Sequence, residues 1–358
     1  MNDLPDEDGK PLTCVDLFSG AGGFSLAARQ LGLHVRAAVE SDPWACKTYH
    51  RNLIKGRRNL VPKLYEEDIQ ELDPKNILEE VFSDGAECDL VLGGPPCQGF
   101  SVHRINDAGK DDERNGLIHR YFDYVRVLRP KVFVMENVPG ILWPRHSEYL
   151  DAFKREALLA DYAVLDAAVL DARDYGVPQK RKRVFIVGVR EGVSFPLAWS
   201  PPATHSKAAG KGLKAWSCAS VAFCRAPKGD SNNKHMQHSA DLVAIFEATP
   251  KNGGSRSQSG RRLPCHEEHD GHKDVYGRID PRKPGPTMTT ACVNPSKGRF
   301  VHPTQNHGIT VRQAARLQSF PDSYVFEGGL MAAAKQVGNA VPVLLGKAVL
   351  RAVSRHLS

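Results

Sequence analysis

The chain has 358 residues, 41% of them hydrophobic and 25% charged, with a formal net charge of +7. That is room for one large domain and a smaller one, in the composition of an ordinary globular protein. No apolar run approaches the ~18 residues of a membrane span. The acidic start, Met1-Asn-Asp-Leu-Pro-Asp-Glu-Asp8, lacks the parts of a signal peptide, and the eight scattered cysteines form no Cys-x-x-Cys. A cytoplasmic protein with reduced thiols is expected.

From Thr13 to about Gly188 short apolar runs alternate with helix-length amphipathic stretches. Strands are predicted at Cys14–Phe18, Val35–Val39, Leu90–Leu92, Val132–Met135 and Val184–Val189. Helices are predicted at Phe24–Leu31, Pro43–Leu53, Pro74–Val81, Leu117–Leu128 and Tyr149–Leu159. This order implies an α/β fold with a mostly parallel sheet, which binds ligands at the carboxyl ends of its strands. Ser200-Pro-Pro202 reads as a linker, and the chain is then rich in Gly, Ser, Lys, Asn and His to about Pro303. Helices resume at Thr310–Leu317 and Ala340–His356. The expected domains are 11–195, an irregular one over 200–305, and a segment, 306–358, packing back on the first.

Charge is uneven. Thr204–Phe300 holds 16 Lys and Arg against 8 Asp and Glu, a net of +8, leaving about −1 for the remainder. A near-neutral body with one basic segment fits a polyanion-binding module on an enzyme core, and a solvated basic insertion fits equally.

Three stretches point to chemistry. Val15-Asp-Leu-Phe-Ser-Gly-Ala-Gly-Gly-Phe24 ends a strand in a glycine turn and opens a helix, where backbone approaches a ligand and free N–H groups face an anion. No Gly-Lys-Ser/Thr follows, which excludes a P-loop, and Ser25 stands at the third glycine of the dinucleotide fingerprint, which counts against NAD. Glu40 ends the second strand about 20 residues after Gly20, where an acid can hold ribose hydroxyls. These features point to a nucleoside cofactor, with a purely structural turn as the plain alternative. In Gly93-Gly-Pro-Pro-Cys-Gln-Gly-Phe-Ser101 two prolines stiffen the backbone that presents Cys97. Burial is the usual fate of a free cysteine, but Pro-Pro-Cys is a poor core position and a good one for a nucleophile. In Val132-Phe-Val-Met-Glu-Asn-Val138 the apolar strand stops at Glu136, which would share the sheet edge with Cys97 as a tuned proton donor.

The chain here resembles the cytosine-C5 DNA methyltransferases over nearly its whole length apart from the basic segment. The motifs fall in the family's order: Asp16-Leu-Phe-Ser-Gly-Ala-Gly-Gly23, Glu40, Asp68-Ile69, Pro95-Pro-Cys-Gln98, Glu136-Asn-Val138, Gln179-Lys-Arg-Lys-Arg-Val184, Arg312-Gln-Ala-Ala-Arg-Leu-Gln-Ser-Phe-Pro-Asp322 and Gln336-Val-Gly-Asn-Ala-Val-Pro342. The resemblance implies a Rossmann-like S-adenosylmethionine-dependent methyltransferase sheet with a smaller, irregular target-recognition domain. It implies Cys97 adding to C6 of cytosine, Glu136 protonating N3, and Arg183 orienting Glu136 and contacting O2. Arg181 is the second candidate for that contact, and either arginine could instead meet a phosphate. Phe18, Gly20, Gly22, Gly23 and Pro95 would surround S-adenosylmethionine, Glu40 its ribose and Asp68-Ile69 its adenine, with Asn339 closing the pocket. Gln98, Ser101, Arg181 and Thr289 complete the implied DNA-contacting set.

One departure stands out: Ser41 occupies the place of an aromatic residue in many relatives, with Trp44 one turn on. The substrate implied is double-stranded DNA with the cytosine flipped out, the loop after Cys97 acting as lid and wedge. The enzyme would be a monomer, either with a cognate restriction endonuclease acting separately or as a solitary modification enzyme. Cys265-His-Glu-Glu-His-Asp-Gly-His272 lacks zinc-site spacing and reads as a polar loop. Competing readings are a tRNA-directed relative, whose Cys-Phe-Thr motif is absent, and an inactive DNA-binding regulator.

Overall fold

The computed structural model describes residues 10–96, 116–260 and 275–357. Cys97, Gln98, Ser101, the loop after Cys97 and the Cys265–His272 run lie outside the described residues. The chain divides into two compact units. One comprises Met1–Asp171, Lys182–Pro202 and Gly346–Ser358, and the other Ala172–Arg181 and Ala203–Leu345.

The first unit is an eight-stranded sheet with helices. Its strands are β1 (Thr13–Leu17), β2 (His34–Val39), β3 (Lys63–Tyr65), β4 (Leu90–Gly93), β5 (Val132–Asn137), β6 (Tyr162–Val164), β7 (Ala168–Asp171) and β8 (Lys182–Arg190). The order is β3-β2-β1-β4-β5-β8-β6, with β7 also paired to β8. The pairs from β3 to β5 are parallel, whereas β8 runs antiparallel to β5, β6 and β7, so the sheet is mixed. β3, β6 and β7, of three or four residues each, fall outside the sequence expectation.

The unit's helices are α1 (Gly23–Arg29), α2 (Pro43–Tyr49), α3 (Pro74–Val81), α4 (Gly116–Leu128) and α5 (Ser147–Leu159). α2 passes into a π-turn over His50–Ile54, so the helix expected to Leu53 changes register after Tyr49. α3 starts where Asp73 accepts from Lys75 N at 2.9 Å and Pro74 fills the first turn, a position whose N–H has no helical partner anyway. α4 buries Ile118, Tyr121, Phe122, Val125 and Leu128, the stripe that 3.6-residue periodicity demands. Of these, Phe122 meets Phe133, Phe153 and Tyr162 in edge-on ring contacts with centroids 5.6–6.2 Å apart. A methyl group at Gly188 would sit 2.1 Å from Phe133, so β8 passes the core only with no side chain there.

The second unit has few regular elements: the paired strands β9 (His205–Ser206) and β10 (Lys214–Ala215), and helices α6 (Ala240–Ala248), α7 (Val311–Leu317) and α8 (Leu330–Asn339). α6 and α8 were not expected from sequence. α9 (Val343–Ser354) crosses from this unit into the first. Contrary to the expectation of no membrane-length segment, Leu330–Ser354 is long and apolar enough to cross a membrane by length and composition. It is nonetheless 72% buried within the fold and broken into α8 and α9 at Ala340–Pro342.

Candidate active site

The sheet register builds the site. Leu17 lies beside Val39 on one side and Gly93 on the other, and Gly93 beside Met135. One residue further, Glu40, Phe18, Gly94 and Glu136 form a row along the carboxyl edge of β2, β1, β4 and β5. The chain order reverses between β1 and β4, which is where open α/β sheets bind ligands.

The glycine turn is held open by its own backbone. Phe18, Gly20 and Gly22 all take positive φ, at 54°, 54° and 81°. Gly22 N–H donates to Ser19 O at 2.8 Å and Ser19 N–H to Val39 O at 3.0 Å. A methyl group on Gly20 would meet nothing within 4 Å, so open space lies above the turn. Beside it the Ser19 hydroxyl, in a residue only 7% exposed, has no hydrogen-bond partner among the described residues.

Glu40 is fixed by three N–H donors: Gly20 to Oε2 at 2.8 Å, and Ser41 and Asp42 to Oε1 at 3.0 and 2.7 Å. Burial pushes its carboxyl up from the ordinary range, and these N–H bonds oppose that shift. Three donors leave the carboxylate acceptor capacity for a ligand hydroxyl. Below the turn, Asp16 is buried and accepts from Ser25 N–H at 3.1 Å and Ser25 O–H at 2.5 Å, while Tyr49 O–H donates to Ser25 Oγ at 2.8 Å. Burial raises the Asp16 carboxyl to about 7.

Asp68 is exposed and accepts from Gln70 N–H at 2.9 Å, while Ile69 is buried. Their loop is anchored from α4. Arg120 and Tyr124 donate to the carbonyls of Ile69 (2.8 and 3.1 Å) and Leu72 (2.7 Å each). Trp44 is 43% exposed and carries Lys47 Nζ over its ring at 4.4 Å. An open glycine cradle, an orphaned hydroxyl and a spare carboxylate acceptor fit the sugar and amino-acid parts of a nucleoside-type methyl donor.

Glu136, 9% exposed, ends the apolar run of β5. Arg183 Nε lies 2.8 Å from Glu136 Oε1, with both side chains largely buried. Among the described residues Oε1 accepts no well-aligned hydrogen bond, so the pair is an ionic contact with acceptor capacity in hand. Arg183 Nη1 also donates to Lys182 O at 2.8 Å, which fixes the guanidinium. The neighbouring Asn137 donates to Pro95 O at 3.5 Å and accepts from Val138 N–H at 2.9 Å. β5 thus carries both Glu136 and the amide that steadies the buried proline two residues before Cys97.

The second unit holds the remaining candidates. Arg181, expected among the DNA contacts, is 1% exposed and donates to Met288 O and Gly338 O at 2.9 Å and to Ala340 O at 3.4 Å. That guanidinium organises backbone and presents no cation to a phosphate, which corrects the expectation. Thr289, half-buried, packs against Gly338, where a methyl group would come within 2.2 Å of Thr289 O. Asn339 follows at the exposed end of α8.

Asp16, Ser19 and Asn137 were missed as contributors. All three stand inside motifs the sequence displays, but motif spacing does not show that Ser25 bonds the Asp16 carboxylate or that Asn137 reaches back to Pro95.

These features describe an α/β enzyme with a nucleoside-type ligand site beside an acid–arginine pair. The chain belongs to the C-5 cytosine-specific DNA methylase family, whose model matches residues 12–355. It is 34% identical to the type II methyltransferase M1.HphI of Haemophilus parahaemolyticus, over 96% of this chain and 86% of that protein. It is 32% identical to M.NgoFVII of Neisseria gonorrhoeae, over 98% and 89%. A DNA modification methyltransferase encoded within an E. coli prophage superposes with a TM-score of 0.68 at 27% identity, over 96% of this chain and 98% of that one. The protein is a DNA cytosine-C5 methyltransferase.

Proposed function

We propose that the enzyme flips a cytosine out of duplex DNA and methylates it through a covalent adduct to Cys97, as the modification half of a restriction–modification system. The Glu136–Arg183 pair carries this reading. Glu136 stands on β5, the strand next to β4, which leads through Pro95-Pro-Cys97, and Arg183 on β8, the next strand beyond. Thiol chemistry agrees: burial pushes Cys46 and Cys292 up to about 12 and raises Cys14 and Cys88 as well, so none of these four supplies a thiolate near neutral pH.

In this mechanism the Cys97 thiolate forms a bond to C6 while Glu136 delivers a proton to N3. Arg183 holds the Glu136 carboxyl toward the base. Electron density then gathers at C5. S-adenosylmethionine, which the Phe18–Gly23 turn, Glu40 and the Asp68-Ile69 loop would hold, would supply an electrophilic methyl group to C5 and leave as S-adenosylhomocysteine. Loss of the C5 proton to water and of the Cys97–C6 bond, with Cys97 leaving as thiolate and N3 returning its proton to Glu136, regenerates the enzyme. Exposed cations of the second unit, among them Lys207, Lys211, Lys214 and Lys228, would grip the duplex, and Thr289 would back the flipped base. The working form would be a nucleoid-bound cytoplasmic monomer, with any cognate endonuclease separate.

A duplex carrying 5-fluorocytosine at the target tests the covalent step, because fluorine cannot leave as a cation after methylation. With S-adenosylmethionine the protein should form a complex that survives denaturing electrophoresis and maps to Cys97. Cys97→Ser should form none yet still bind duplex. A link to another cysteine, or no complex from an active enzyme, rules the mechanism out.

A further inference from the structure

The first unit carries a concentration of cations that the proposed chemistry does not use. Between Asp42 and Glu66 lie Lys47, Arg51, Lys55, Arg57, Arg58 and Lys63 without one acidic residue. All six are exposed. Several other cations of this unit are matched: Arg36 with Asp84, Arg126 with Asp123 and Glu156, Arg129 with Asp161, and Lys131 with Asp89. In the run, Lys63 pairs with Glu80, whereas Lys55, Arg57 and Arg58 have no acidic partner among the described residues.

Local structure projects those three outward. The π-turn His50–Ile54 ends where Lys55 N–H donates to His50 O at 2.8 Å, and Gly56 reverses the chain at φ +73°. Beneath, Leu53, Leu60 and Pro62 line a cavity of about 370 Å³ with Leu33 and Val35. Leu60 itself remains 48% exposed, and Arg57 Nη2 donates back to Asn52 O at 3.1 Å.

We propose that this run, centred on Lys55, Arg57 and Arg58, is a second contact for the phosphate backbone of the duplex, separate from the basic segment of the second unit. The inference rests on the DNA-methyltransferase reading. A duplex presents one negative charge per ~1.7 Å of its axis, so closely spaced unpaired cations on one turn match it, and each bond to phosphate releases counterions. Such contacts position a protein on DNA without reading sequence.

The test is the combined variant Lys55→Gln, Arg57→Gln and Arg58→Gln in the full chain, on a duplex several helical turns long. Affinity should fall about tenfold or more near 0.1 M salt. The slope of log K against log salt should become shallower by about 2–3, at −0.9 per phosphate. The single-turnover methylation rate at saturating duplex should equal that of the unaltered enzyme. Unchanged affinity and slope would overturn the proposal, even if the run proved to hold anionic lipid vesicles instead. A lost rate at saturation would also overturn it, because the run would then be acting on the site. Failure of the underlying reading looks different, since the unaltered enzyme would itself methylate no DNA.

Discussion

The two units solve one problem in opposite ways. In the first, buried backbone groups are satisfied by the strand ladder, and the interior is free to be apolar, built on rings such as Phe122, Phe133 and Phe153. In the second, long loops leave carbonyls without ladder partners, and polar side chains are drawn inside to meet them. Arg278, fully buried, spends all five donors on Thr249 O, His302 O, Gln305 O, Phe246 O and Asn306 Oδ1, between 2.5 and 3.0 Å. Arg312 forks onto Asp230 at 2.6 and 3.1 Å, with both side chains nearly inaccessible. Gln179 ties Leu317 O and Gln318 to Met288 N–H. A basic segment is thus partly an internal scaffold, and only the remainder of its charge is available to DNA.

This contrast can be tested by removing polar groups of each kind. Glu136→Gln should show the largest effect. It removes an edge carboxylate that no ladder bond needs, so the thermal midpoint should hold while single-turnover methylation slows by roughly 10²–10⁴. That is about 3–5 kcal/mol of barrier. A near-normal rate would take Glu136 out of the reaction.

Arg278→Met should cost about 3 kcal/mol or more in urea unfolding, because several buried carbonyls lose their donor at roughly 1–3 kcal/mol each. A loss under 1 kcal/mol would show that the loops satisfy themselves and would break the comparison.

Asp16, a polar group inside the apolar unit, should show the smallest effect per unit of the variable changed. Its folded carboxyl is raised to about 7 by burial, against 3.8 ordinarily. The folded state therefore keeps a proton that the unfolded chain releases. Its contribution is full below about pH 4, declines as pH rises, and is gone above about 7, with a slope of at most ~1.4 kcal/mol per pH unit. Asp16→Asn should flatten that part of the stability profile, and an unchanged slope in chemical denaturation between pH 4 and 7 would refute the assignment.

What sequence could disclose follows the same division. Core strands of the first unit are readable because continuous apolar runs end at turn residues, and α3 is predicted at its observed bounds, Pro74–Val81. β6 and β7 escape because three or four residues carry too little period. In the second unit α6 escapes since most of its residues are apolar or small, leaving no polar face to mark a helix. Motif spacing marks Glu40, Glu136 and Arg183, but not which arginine of Arg181-Lys-Arg183 would be buried, because that depends on carbonyls more than a hundred residues away. The Lys47–Lys63 run was hidden by arithmetic. Averaged over everything outside 204–300, six cations vanish into a near-zero sum.

α9 has a consequence for synthesis. Val349, Leu350 and Val353 are buried, and the residues from Gly346 onward belong with the first unit although residues 203–345, all of the second unit but 172–181, precede them on the ribosome. At ~5–20 residues per second, on the order of ten seconds separates emergence of the sheet from arrival of the helix that completes it. A nascent chain whose sheet strands have all emerged is thus still unfinished, and a stalled or prematurely terminated product would lack the closing helix of its first unit.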